Sequence, residues 1–261
     1  MRKILTASAA IGLCLAATSP ALADSDLRVR GRTFAQGAIG VGQTSYQVGM
    51  DLSGQSSTDP AALLIMSYAL SERWSWLIPS PALAYRFGTA GERELVPALG
   101  LFTWGLGYSS VEGTIFQGTL GSRTAYREYL DNGLTVNLGL HLDSPLSWTS
   151  GQLRKDSGPD SWRSSLSAGL SWSPSERVEL NLGAEWARPV LLDGALADDA
   201  ATTWSFGSVQ TVGFRRLPLL SYATSEHWSI DGYAELSVRS REDANEQRVR
   251  QVYLLGATWS R

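Results

Sequence analysis

Residues 177–188 read Arg-Val-Glu-Leu-Asn-Leu-Gly-Ala-Glu-Trp-Ala-Arg, with apolar and polar side chains in alternation. Val178, Leu180, Leu182, Ala184 and Trp186 share one face, and Glu179, Asn181 and Glu185 share the other. A period of two is the mark of a β-strand with one apolar and one wet face; a helix would place its apolar residues three and four apart. The stretch also exceeds the usual five or six residues of a soluble strand.

The pattern recurs along the chain and marks twelve segments: 27–37, 44–52, 61–70, 76–87, 95–108, 114–130, 134–143, 162–172, 177–188, 202–223, 228–239 and 248–260. Pro79 and Pro81 fall inside the fourth, where they weaken ladder pairing. The segment 202–223 reads as one strand long enough to project beyond a bilayer. Tight turn signals stand at Asp131-Asn132-Gly133, Ser173-Pro174-Ser175-Glu176 and Thr224-Ser225-Glu226-His227. Longer polar connections alternate with them at 144–161, 191–201 and 240–247. An even strand count puts both termini and these three short turns at one end. By the same count Ser71-Glu72-Arg73 falls at the opposite end, although it resembles Ser175-Glu176-Arg177 and Ser225-Glu226-His227.

The chain opens with Arg2 and Lys3, an apolar run from Ile4 to Ala17, and Ala21-Leu22-Ala23 before Asp24. This is the layout of a secretory signal peptide over residues 1–23, leaving 24–261 as a single domain. Cys14, the only cysteine, lies in that apolar run, so the exported chain has no disulfide and no cysteine-based metal site. No later stretch holds the roughly 18 apolar residues of a spanning helix. Only Lys3 and Lys155 are lysines among 22 basic residues, and the formal charge of −3 gives no basic footprint for nucleic acid.

Export, long alternating strands and alternating loop lengths together predict an all-β fold. It is a closed antiparallel up-and-down transmembrane β-barrel of about twelve strands, with ten to fourteen compatible. Closure removes the unpaired edges that an open sheet would expose to lipid. Seven tryptophans fit the headgroup levels, where an apolar ring with one donor is at home: Trp74, Trp76, Trp162, Trp172, Trp186, Trp228 and Trp259. In this architecture the chain resembles the bacterial outer-membrane β-barrel superfamily over its whole exported length. Twelve-stranded members include autotransporter translocators, nucleoside channels and outer-membrane phospholipase A. Gly256-Ala257-Thr258-Trp259 matches the first part of the superfamily's C-terminal assembly signal, while Ser260-Arg261 stand where its last aromatic belongs. The resemblance implies a place in the cell outer membrane. Its implied partners are outer-membrane lipid and lipopolysaccharide, and the assembly machinery during biogenesis.

If the apolar faces meet lipid, the polar faces line the lumen. They carry Arg28, Arg30 and Arg32 on the first strand, Glu179 and Glu185 on the ninth, Asp231, Glu235 and Arg239 on the eleventh, and Arg248 and Arg250 on the last. Buried charges need partners or water. An arginine cluster facing carboxylates therefore serves either as a salt-bridged filling or as a filter that draws in anions. The expected role is non-enzymatic: structural, or passive passage of small solutes, with no cofactor and no metal. The solute itself is not written in the sequence.

Two other classes compete. An outer-membrane hydrolase acting on protein, lipid A or phospholipid would use His141, with Asp143, Asp198 and Asp199 as the candidate acids. A His–Asp pair can polarise a water. Omptin proteases carry their acidic pair before the His–Asp pair, and here the order is reversed. Lipid A deacylases carry His-x-Ser, and here Asp143 occupies the serine's place. A soluble periplasmic ligand-binding β-protein would instead turn its apolar faces inward.

Overall fold

The alternating stretch forms a strand at Val178–Val190, one of twelve staves in a closed antiparallel wall. The computed structural model describes residues 33–48, 56–78, 81–89, 91–109, 113–149, 152–155, 162–190, 201–212, 215–241 and 246–261. In chain order the staves are β1 (Phe34–Val48), β2 (Ser56–Ala69), β3 (Trp74–Ile78), β4 (Ala82–Tyr85, continued by Phe87–Thr89), β5 (Arg93–Ser109) and β6 (Gly113–Tyr129). There follow β7 (Leu134–Thr149), β8 (Trp162–Ser175), β9 (Val178–Val190), β10 (Thr202–Gly207 and Leu220–Ala223), β11 (Trp228–Arg241) and β12 (Glu246–Ser260). β1 closes on β12 along its whole length, from Phe34↔Ser260 to Val48↔Glu246.

The faces are inverted relative to a soluble protein. On β9, Leu182 is 65% exposed and Leu180 38%, while Glu179 and Asn181 are 1% and 5%. Leu64, Leu99, Leu140, Leu166 and Leu255 also point outward, and Gln36, Thr135, Asn137 and Asp231 are buried inside. Apolar outside and polar inside is stable only where the outer solvent is hydrocarbon.

The strand count holds, but for a reason that two boundary corrections expose. Where they are described, the segments expected at 27–37 and 44–52 belong to one stave, because β1 runs unbroken through Gly40-Val41-Gly42-Gln43. Thr44 is buried on its inward face. The segment expected at 76–87 is two staves, because the chain reverses between Ile78 and Ala82, where Pro79 and Pro81 stand. One strand lost and one gained leave twelve. The correction also moves Ser71-Glu72-Arg73 to the same end as the turns at 131–133, 176–177 and 224–227, which its resemblance to them had suggested. At Asn132 and Gly133 the backbone is left-handed, with φ of 64° and 75°, as an Asn-Gly tight turn requires.

The wall is uneven. β3 has five residues and pairs with β2 only from Met66 to Ala69. β4 meets β5 at Ala98–Gly100 and again at Arg93–Leu95. Among the described residues, β2 beyond Met66 pairs only with β1, and β5 beyond Leu101 only with β6. The lumen behind this low stretch is apolar, filled by Phe34, Leu77, Ala82, Ala84, Val96 and Ala98 with Ile65 against them.

The expected signal segment 1–23 and Arg28, Arg30 and Arg32 lie outside the described residues, as do Asp198 and Asp199 and the side chain of Trp162. Trp74, Trp76, Trp172 and Trp228 are exposed on the outer surface. Trp228 and Trp259 are cross-strand neighbours near the short-turn end, and Trp186 neighbours Trp204 further out.

Candidate functional site

β10 is not the single long strand expected at 202–223. Thr202–Gly207 pairs with β9 and β11, and Leu220–Ala223 pairs with them again. Between the two pieces the chain leaves the wall. Gly207 permits the departure: its φ is +100°, and a Cβ there would sit 2.2 Å from the Ala234 carbonyl oxygen. Ser208 makes a wall bond, N–H to Ala234 O at 2.8 Å. Leu217 N–H donates to Gln210 O at 2.8 Å, and Thr211–Val212 pairs with Arg215–Arg216 in a small ribbon. The wall resumes where Asn181 N–H donates to Leu219 O. Ser208, Val209, Gln210, Arg215, Leu217 and Pro218 are all buried, so this hairpin sits inside the lumen.

A main-chain segment inside a barrel must find partners for its N–H and C=O groups. Here two amide side chains of the wall supply partners, and a third, on the hairpin itself, ties it back to the wall. Gln36 of β1 grips Arg216 at both ends: its Nε2 donates to Arg216 O at 2.8 Å, and its Oε1 accepts from Arg216 N–H at 3.1 Å. Asn181 Nδ2 donates to Pro218 O at 2.8 Å. Gln210 Nε2 reaches back to Asn137 O at 3.3 Å. Glycine makes the space, since a Cβ on Gly183 would lie 2.7 Å from Gln210 Cγ. Behind these contacts a polar belt crosses four staves. Arg127 donates to Asn137, Asn137 to Ser171, and Ser171 to Asn181.

On the long-loop side of the hairpin lies a cavity of about 380 Å³. Its lining brings together Arg123, Arg163, Arg216, Asp143, Glu185 and Glu235, with His141 among them. Arg123 pairs with Asp143 at 3.4 Å, and Arg216 pairs with Glu235 while its Nε donates to Ser208 O at 2.7 Å. His141 Nδ1 stands 4.0 Å from Glu185. The acid beside His141 is thus Glu185, and Asp143 is held by an arginine. Beyond the cavity, Arg239 and Arg248 are direct cross-strand partners, and Arg250 shares the inward face with Thr44.

On the other side of the hairpin, Asp231 is fully buried and accepts hydroxyls from Ser221 at 2.5 Å, Ser229 at 2.9 Å, Tyr233 at 3.4 Å and Thr258. Glu179 is buried beside Ser221 in the ladder. In the ladder register, Asp231, Glu179, Glu185, Glu235, Arg239, Arg248 and Arg250 share the parity of the buried polar residues of their strands. Alternation in the sequence does not single out Gln36, Gln210 or Arg216, nor does it assign Arg123 and Arg163 to a site. One local signal was there: 202–223 is too long for a stave and contains Gly207 and Pro218.

No family model matches the chain, and no curated protein matches it. Solved structures do. The β-domain of the Bordetella autotransporter BrkA matches with a TM-score of 0.48 at 9% identity, over 88% of this chain and 100% of that one. The KdgM porin matches at 0.39 and 11% identity, over 86% and 99%. The CymD monoaromatic hydrocarbon channel matches at 0.38 and 10% identity, over 88% and 89%. Closure and the apolar exterior define the class: a twelve-stranded antiparallel transmembrane β-barrel.

Proposed function

We propose that this protein is a passive, non-enzymatic outer-membrane channel for small anionic solutes, with the inward hairpin as its constriction. The observation that carries the reading is the placement of Arg163, Arg239, Arg248 and Arg250 on the inward face beyond the hairpin. With Arg123 and Arg216 they outnumber the carboxylates Asp143, Glu185 and Glu235 on that side. A low-dielectric wall focuses such a field and concentrates anions at the mouth. A hydrolase is less well supported, since Arg123 holds Asp143. Lipid and lipopolysaccharide around the wall, and the assembly machinery during insertion, complete the proposed partners.

Planar bilayers test the reading. Reversal potentials in a KCl gradient should show chloride preferred over potassium. Exchanging Arg239, Arg248 and Arg250 for Gln together should shift that preference towards potassium. A folded protein that carries no current above background overturns the channel.

A further inference from the structure

We infer that the cavity beside the hairpin binds a small zwitterion, a solute bearing one carboxylate and one ammonium a few bonds apart. The channel reading enters only as the route by which the solute arrives.

Charge matching singles out this class of solute. The cavity wall holds three guanidinium groups and three carboxylates. Two pairs are already made, Arg123 with Asp143 and Arg216 with Glu235. Arg163 and Glu185 are left. Arg163 stands opposite Asp143 in the β7–β8 ladder, yet that carboxylate is turned to Arg123. Arg163 forms no ion pair among the described residues. Glu185 takes a hydrogen bond from Ser165 and forms no ion pair with an arginine among the described residues; its one basic neighbour within 4.0 Å is the His141 imidazole, which carries little charge at neutral pH.

Arg163 and Glu185 lie on adjacent staves and line the same space, but they do not meet. Ser167 is the ladder partner of Glu185, so the two are offset by four residues along the ladder. At a strand rise of about 3.3 Å per residue, that offset is roughly 13 Å between their Cα levels. Two long side chains reaching from those levels leave a gap that a ligand can bridge.

An anion alone would satisfy Arg163 and leave Glu185 without a cation. A cation alone would do the reverse. In a water-filled space bounded by a low-dielectric wall, each charge left over draws a counter-charge of its own. A zwitterion with its carboxylate at Arg163 and its ammonium at Glu185 completes every pair. The volume of about 380 Å³ lies near the lower limit of small-molecule sites, so the ligand is small. The Arg216–Glu235 pair forms part of the floor, which ties occupancy of this site to the hairpin beneath it.

Titration calorimetry on the full-length folded protein in detergent at low salt tests the site. The probes are alanine and 4-aminobutyrate as zwitterions of two lengths, propionate as the acid alone and ethylamine as the amine alone. One of the two zwitterions should bind about tenfold or more tightly than either single-charge probe, since each 1.4 kcal/mol is tenfold in affinity. Arg163→Gln should bring that zwitterion down to the level of ethylamine, and Glu185→Gln to the level of propionate. Four probes of equal affinity, or no binding by any, overturns the proposal on the unaltered protein, whether or not the variants fold. Swelling of liposomes in the same solutes reads passage separately. Binding without passage leaves the site standing and ends the channel reading. Passage without binding does the opposite.

Discussion

The two halves of the lumen are filled by different means. Behind β1–β5 the side chains themselves close the space: Phe34, Leu77, Val96 and three alanines pack together. Behind β6–β11 the inward residues are small or polar, such as Asn137, Ser171, Gly183 and Asn181, and a piece of main chain from β10 occupies the room. The apolar half gains from burying hydrocarbon and needs no partners. The polar half can hold a peptide hairpin because it supplies amides where the hairpin has unpaired backbone. The difference explains why the same barrel is solid on one side and divided into compartments on the other.

Removing the hairpin attacks the polar half most directly. Replacing residues 209–217 by a short Gly-Ser link should raise single-channel conductance several-fold; an unchanged conductance would mean that the hairpin does not set the constriction. Val96→Asp attacks the other half by placing an unpaired carboxylate in the apolar cluster. It should cost about 4 kcal/mol in urea unfolding of the refolded barrel, as uncompensated buried charges do. A loss below about 1 kcal/mol would show that this half is wetter than its packing indicates. Asp231→Ala removes the acceptor shared by four hydroxyls and should cost about 2 kcal/mol, read in the same titration. Gln36→Ala releases Arg216 from its clamp and should cost about 1 kcal/mol. Its clearer sign should be more frequent current steps, from a hairpin held at fewer points. Quiet traces from this variant would shift the weight of docking onto Asn181 and Glu235.

Strand positions and their two faces were legible because a half-wet strand repeats every two residues, and β9 and β11 do so over most of their length. The early staves were harder to read. Gly40 and Gly42 look like a turn, but in β1 they are rungs of the ladder with β12. Pro79 and Pro81 read as flaws in one strand, but the chain reverses between Ile78 and Ala82. The inward hairpin was the least legible element. Thr211, Val212 and the residues around them have ordinary strand propensity, so nothing local directs them off the wall. The direction comes from Gln36, Asn137, Asn181 and Glu235, which lie between 19 and 180 positions away in sequence from the groups they hold. The same distance hid Arg216 from the list of lumen charges, although the inward places of Glu235 and Glu185 followed from alternation alone.

The short β3 has a consequence for the membrane itself. Five residues extend about 17 Å along a strand, and less when tilted, against an apolar band of about 25 Å on a typical barrel. Lipids beside β3 and β4 therefore meet a lower shore than lipids beside β7 or β9. The bilayer has to thin there, or the whole cylinder has to lean until the shortfall is shared. Either way the protein has a front and a back in the plane of the membrane, and its neighbours in a crowded leaflet will not meet it as a round post.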